Sequence, residues 1–163
     1  MKKVVKFGGS SLASAEQFKK VGDIIRADKS RRYVVPSAPG KRSSSDTKVT
    51  DMLYSCYNLA IREKKFTSLL DEIHARYNEI IDGLNLELSL DHEFDMIREN
   101  FGKKIGRDYA ASRGEYLNGI IMANYLGFCF IDAAEVIRFH EDGSLDDEKT
   151  NELLSLRLEG EEF

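Results

Sequence analysis

The sequence predicts an α/β fold with a mainly parallel sheet. Two short β-branched runs, Lys3–Phe7 and residues 33–35 (Y-V-V), have the length and composition of buried strands. A glycine turn and an amphipathic helix lie between them. Strand, helix and strand in that order form a βαβ unit, whose crossover is expected to be right-handed.

Each element follows from its residues. Ser14 and Gln17 form a capping box ahead of a helix with Phe18, Val21 and Ile25 on one face, running out near Lys29. After the second strand comes P-S-A-P-G-K-R-S-S-S-D at 36–46, a polar loop holding both prolines of the chain. Residues 46–62 read as a helix with Val49, Met52, Leu53, Cys56 and Ala60 inward. Residues 65–82 follow with Phe66, Leu69, Leu70, Ile73, Tyr77 and Ile80, and Gly83 ends that helix. Phe94, Ile97, Phe101 and Ile105 mark a weaker third helix, and 108–126 a fourth, stopped by Gly127. These helices, with no strand among them, read as a helical excursion from the sheet over about 46–126. Residues 128–131 (F-C-F-I) are expected as a third strand. Asp146 then caps a last helix to about Leu158. No repeat or low-complexity linker interrupts the chain. Three strands for about six helices are few for a parallel sheet, and E-G-E-E-F directly follows a helix. The expectation is a chain cut off mid-fold.

Composition narrows the function. A chain of 163 residues can bury about 70% of its unfolded surface as one domain. Apolar residues make up 42% and charged residues 32%, as in soluble globular proteins. The net charge of −4, with no basic cluster beyond Lys41-Arg42, argues against nucleic acid and anionic membrane as partners. No apolar run approaches the roughly 20 residues of a membrane helix, and the N-terminus lacks a signal-peptide core. Cys56 and Cys129 sit in apolar surroundings without a C-x-x-C pattern, and both read as reduced core thiols of a cytosolic protein. His74, His92 and His140 are scattered without ligand spacing, which argues against a zinc site.

Three stretches carry chemistry. In K-F-G-G-S-S at 6–11, a lysine ends a strand and two glycines lead toward a helix. Glycines let backbone N–H groups approach phosphate oxygens, and a lysine adds a point charge. The spacing is neither that of a P-loop nor that of a dinucleotide-binding fingerprint. A tight strand-to-helix turn beside a solvated Lys6 accounts for the same residues. In a parallel sheet the loop at 36–40 leaves the same edge, where ligands of open α/β sheets bind. It brings Ser37 there, and V-T-D-M-L at 49–53 places Thr50 early in the next helix. Thr50 also reads as a residue bonded to its own helix end, and residues 41–46 read as a solvated loop. In S-R-G-E at 112–115, a mid-helix glycine costs about 1 kcal/mol relative to alanine, so something must approach that helix closely. On composition alone Glu115 is a solvated glutamate.

Together, K-F-G-G-S-S, V-V-P-S-A-P-G at 34–40, V-T-D-M-L and S-R-G-E resemble the aspartate kinases of the amino acid kinase superfamily, and the resemblance spans the chain. It implies a three-layer sandwich with a mainly parallel sheet. It also implies ATP-dependent phosphorylation of the L-aspartate β-carboxylate, the first step of lysine, threonine and methionine biosynthesis. By the same resemblance Lys6, Gly8, Gly9 and Ser10 hold the ATP phosphates, with Lys6 catalytic. Ser37, Thr50 and Glu115 bind aspartate, and Mg²⁺ arrives with ATP, with no protein metal site. Pro36 departs from the family pattern, which has a small or aliphatic residue there, and removes one backbone donor.

The resemblance further implies a cytoplasmic enzyme that is a homo-oligomer at full length. Residues 1–163 are then the N-terminal part of the kinase domain, without its second half or an ACT-type regulatory domain, and inactive alone. Two rivals stand beside this reading: a sister amino acid kinase, which would lack S-R-G-E, and a non-catalytic fragment that binds partners through the helical excursion.

Overall fold

A computed structural model describes residues 1–159; the terminal G-E-E-F at 160–163 lies outside the described residues. The chain divides into two compact units, Met1–Phe128 and Cys129–Phe163, the second described to residue 159.

The first unit opens with β1 (Lys3–Phe7), a 3-10 turn (Gly9–Leu12), α1 (Ala15–Arg26) and β2 (Arg31–Pro36). The strands pair in parallel, Val5 opposite Val34 and Phe7 opposite Pro36, so the βαβ reading holds. The Ser14 hydroxyl accepts from the Gln17 N–H at 3.4 Å and starts α1 as its sequence requires. Burial of the strands is a correction. Val5, Phe7 and Val34 pack on the core, but Val4 is 68% exposed. Alternate side chains of a strand point to opposite faces, and the helices cover one face of this two-stranded sheet.

Four helices follow: α2 (Val49–Ile61), α3 (Thr67–Gly83), α4 (Asp91–Gly102) and α5 (Arg107–Leu126). They make the expected excursion, and their inward residues form one core with α1. Phe18, Leu53, Leu70, Tyr77, Phe94, Phe101 and Leu117 are among its fully buried members. Two expectations shift. Helix α2 begins at Val49 rather than 46, because residues 46 and 47 are engaged by arginines and Lys48 keeps an extended backbone. Ile105 falls beyond α4 and is 53% exposed. Gly127 takes the left-handed cap, φ 71°, that stops α5.

In the second unit, α6 (Ala133–Val136) is capped by Asp132, a bridge joins Phe139 to Leu145, and α7 (Asp147–Leu158) is capped by Asp146 through the Lys149 N–H at 2.9 Å. The third strand at 128–131 does not form. A strand exists by its ladder, and among the described residues no ladder hydrogen bond reaches this segment. Among the described residues no helix is long and apolar enough to cross a membrane.

The same segment corrects the cysteine reading. Cys56 is buried in the core, whereas Cys129 is exposed; both are free. Burial pushes the Cys56 thiol up to about 12. Thiolate is the reactive form, so the two should separate on alkylation. Iodoacetamide on the native protein at about pH 8 should label Cys129 within minutes and leave Cys56 until the chain is unfolded. Equal native rates, read by mass spectrometry, would contradict the packing of α2.

Candidate active site

The site begins where both strands end. Because β1 and β2 are parallel, their following loops leave the same edge, and the Ser37 N–H donates to the Phe7 carbonyl at 3.0 Å. Just beyond, the Gly40 N–H donates to the Gly9 carbonyl at 2.8 Å. This contact explains two of the glycines. A Cβ on Gly9 would stand 2.8 Å from the Ala38 oxygen, and one on Gly40 would stand 2.6 Å from the Gly9 carbonyl carbon. The loops touch backbone to backbone. Gly8 differs, since a Cβ there would have nothing within 4 Å and its φ of −77° suits any residue. Open space lies beside it.

Helix α5 supports the second loop from below. The close approach expected at S-R-G-E is made by Ala38: a Cβ on Gly114 would lie 2.6 Å from the Ala38 Cβ. The buried Asn118 Nδ2 donates to the Ser37 carbonyl at 2.7 Å, and the Tyr77 hydroxyl donates to the Gly114 carbonyl at 2.9 Å. Burial pushes the Tyr77 phenol well above its ordinary value, with Glu115 adding to the effect. The rest of the motif divides by role. The Ser112 hydroxyl bonds back to the Tyr109 carbonyl, and Arg113 lies over the rings of Tyr109 and Tyr116. Glu115 remains exposed.

Helix α3 holds the far end of the loop; residues 41–45 are exposed, as the solvated reading expects, and Asp46 alone departs from it. Asp46 pairs with Arg42 at 2.9 Å and with the buried Arg76 at 3.0 Å. Hydrogen bonds from Arg42 and the charge of Arg76 hold the Asp46 carboxyl well below the usual carboxylate range. Removing Asp46 would leave the buried Arg76 guanidinium without its carboxylate partner.

These supports leave a cleft of about 510 Å³ lined by Gly9, Ser10, Ser37, Thr50 and Glu115, with Lys41 and Lys48 beside them. Lys6 and Gly8 fall just outside the lining, and Lys6 Nζ donates to the Ser37 hydroxyl at 3.4 Å. The site residues named from the sequence therefore gather at one strand edge. Among the described residues the Thr50 hydroxyl makes no hydrogen bond, which removes the helix-end role. Sequence reasoning missed Lys41, Lys48, Asn118 and Arg76. For Arg76 a signal existed, a cation inside the apolar stripe Ile73, Tyr77, Ile80. Lys48 carried none. Glu115 is the single carboxylate of the lining, and among the described residues no group of three or more His, Cys, Asp or Glu is placed to hold a metal. The cleft's own donors do not build a divalent-cation site.

Comparison with known proteins gives a consistent picture. The amino acid kinase family profile matches residues 1–160. Aspartokinase 3 of Bacillus subtilis is 46% identical over 88 residues, which are 54% of this chain and 19% of that protein. The crystal structure of Clostridium acetobutylicum aspartate kinase superimposes with a TM-score of 0.91 at 46% identity, over 95% of this chain and 36% of that one. Escherichia coli aspartokinase III, solved with aspartate and ADP, shares the fold at 21% identity with a TM-score of 0.73, over 98% of this chain and 38% of that one. The chain thus spans between about a fifth and two fifths of the length of these relatives.

The glycine geometry makes a sharp prediction. Gly9→Ala, Gly40→Ala and Gly114→Ala should each destabilise by about 1–3 kcal/mol through overpacking. For Gly114 this reverses the gain of about 1 kcal/mol that alanine ordinarily brings to a helix. Gly8→Ala should stay within about 0.5 kcal/mol of the parent or gain slightly. Urea denaturation reads all four, and a Gly8→Ala loss equal to that of Gly9→Ala would refute the division of roles.

Proposed function

The chain belongs to the amino acid kinase family, and we propose that its cleft is the phosphate-loop and acceptor side of an aspartate kinase site. In this reading ATP phosphorylates the β-carboxylate of L-aspartate. The observation that carries it is the convergence of Gly9, Ser10, Ser37, Thr50 and Glu115 on one cleft, with Lys6 at its edge. The aspartate and ADP bound to the Escherichia coli relative are the ligand pair this reading assigns to the cleft. We place residues 1–163 in the N-terminal part of a catalytic domain, in keeping with the share of the relatives they span.

The chemistry asks for positioning and charge. A β-carboxylate oxygen attacks the γ-phosphorus, the bond from phosphorus to the bridging oxygen breaks, and ADP leaves with that electron pair. The products are 4-phospho-aspartate and ADP. Catalysis of such a transfer rests on alignment and on positive charge at the phosphoryl oxygens. Lys6 supplies charge there, and the open backbone at Gly8 leaves room for phosphate oxygens beside N–H donors. The Ser37 and Thr50 hydroxyls orient the β-carboxylate. Glu115 receives the α-ammonium of aspartate, a role that suits an exposed carboxylate facing a cleft otherwise lined by lysines and hydroxyls. Mg²⁺ is assigned to the nucleotide, which it accompanies. The free cysteines suit a cytoplasmic enzyme.

The two ends of the cleft should separate in kinetics of ADP release by the active kinase. Lys6→Met should lower kcat about a hundredfold or more while KM for aspartate moves about threefold at most. Glu115→Gln should raise KM for aspartate at least about tenfold, because it removes the partner of the ammonium group. Both variants within about twofold of the parent in kcat and KM would sink the assignment.

A further inference from the structure

Among the described residues, one buried cation remains outside the chemistry just described. Arg76 lies on α3, 3% exposed, between apolar residues that face the core. Its Nη1 donates to the Thr47 carbonyl, and its Nη2 donates to the Gly40 carbonyl and pairs with Asp46 at 3.0 Å. Gly40 and Thr47 are the two ends of the excursion at 40–47, so one planar group clamps both. Asp46 also accepts from the backbone N–H and the Nε of Arg42, each at 2.9 Å, and Arg42 Nη1 reaches Glu79, one turn after Arg76 on α3, at 2.7 Å.

The clamp stands directly behind the cleft. Gly40 packs on Gly9, Lys41 follows it, Lys48 follows Thr47, and the Val49 N–H that opens α2 donates to the Pro39 carbonyl at 3.1 Å. Arg76 itself does not line the cleft; it lines the two hollows behind the loop. A buried ion pair is weak evidence for stability, since well-packed apolar residues often serve as well or better. A guanidinium fork does what an apolar side chain cannot: it fixes the distance and direction between two carbonyls and a carboxylate.

We propose that Arg76, paired with Asp46, is a positioning residue of the aspartate site, holding Ser37 and Gly40 on one side of the cleft in register with Lys48 and Thr50 on the other. The proposal rests on the reading of the cleft as the acceptor site, and it extends that reading to a residue that touches neither substrate.

The test compares Arg76→Met, Arg76→Lys and Asp46→Asn with Leu70→Ala, a fully buried α3 control. All are made in the active kinase and read by melting temperature, by hydrogen exchange of the amides at 41–48, and by kcat and KM for aspartate. Arg76→Met should speed exchange across 41–48 and lower kcat/KM about a hundredfold, because phosphoryl transfer loses that much to a misplacement of about 1 Å. Arg76→Lys keeps the charge and loses the fork, so it should recover melting temperature while kcat/KM stays at least about tenfold down. Leu70→Ala should lower the melting temperature with kcat/KM within about twofold. If Arg76→Met does not fold, Asp46→Asn decides, with faster exchange at 41–48 and kcat/KM about tenfold lower. The proposal is overturned if the Arg76 or Asp46 variants lose melting temperature with unchanged kcat/KM, or if Arg76→Lys restores both together. A parent enzyme that turns over without aspartate dependence, while Arg76→Met still frees the loop, would locate the failure in the acceptor reading and not in the clamp.

Discussion

The contact on which the rest of the site depends is the meeting of Gly9 and Gly40, two backbones at hydrogen-bond distance with no side chain between them. Parallel pairing brings the two loops to one edge, but pairing alone leaves their separation loose. Closing them to backbone contact sets where Ser10 and Ser37 stand across the cleft, and Gly114 lets Ala38 sink onto α5 beneath them. Of the forces involved, packing decides. A single hydrogen bond such as Asn118 to Ser37 contributes about 1 kcal/mol net, whereas an inserted methyl at the contact costs about 1–3 kcal/mol.

Charge in the cleft runs against the charge of the chain. The sequence carries a net −4, yet Lys6, Lys41 and Lys48 surround the cleft against Glu115 alone, three positive charges to one negative. A site for a polyphosphate and a dicarboxylic amino acid needs that local sign. In the proposed reading the single carboxylate, Glu115, is the partner for the ammonium group that aspartate carries and a polyphosphate lacks. An acidic protein can therefore recruit anions, because over a few ångströms the neighbouring charges outweigh the distant ones screened by salt.

Local signals were legible where the sequence carries them locally. Ser14 with Gln17, the stripe Phe18–Val21–Ile25 and the stop at Gly127 involve residues within a few positions of one another. The odd glycine of S-R-G-E announced a close neighbour, though only the fold shows that neighbour to be Ala38. The failures share a different cause. Residues 128–131 have strand composition, but a strand needs a partner, and composition does not supply one; Cys129 was misjudged for the same reason. Asp46 looked solvated because its partner Arg76 lies 30 residues on, and Arg76 was missed because its three acceptors lie in a loop before it.

The hydrogen bond from Asn118 to Ser37 joins residues 81 apart in the chain. At translation rates of about 5–20 residues per second, some 4–16 s pass between the synthesis of one partner and of the other. During that interval βαβ and the first helices can form from nearby residues, but the floor under the second loop does not yet exist. The binding edge is thus completed late, since its formation waits on the docking of α5. Among contacts of different reach, those that close the longest segments form latest. A nascent chain of this protein can pair its strands and wind its first helices from nearby residues, but it gains the support under the second loop only once α5 has been made.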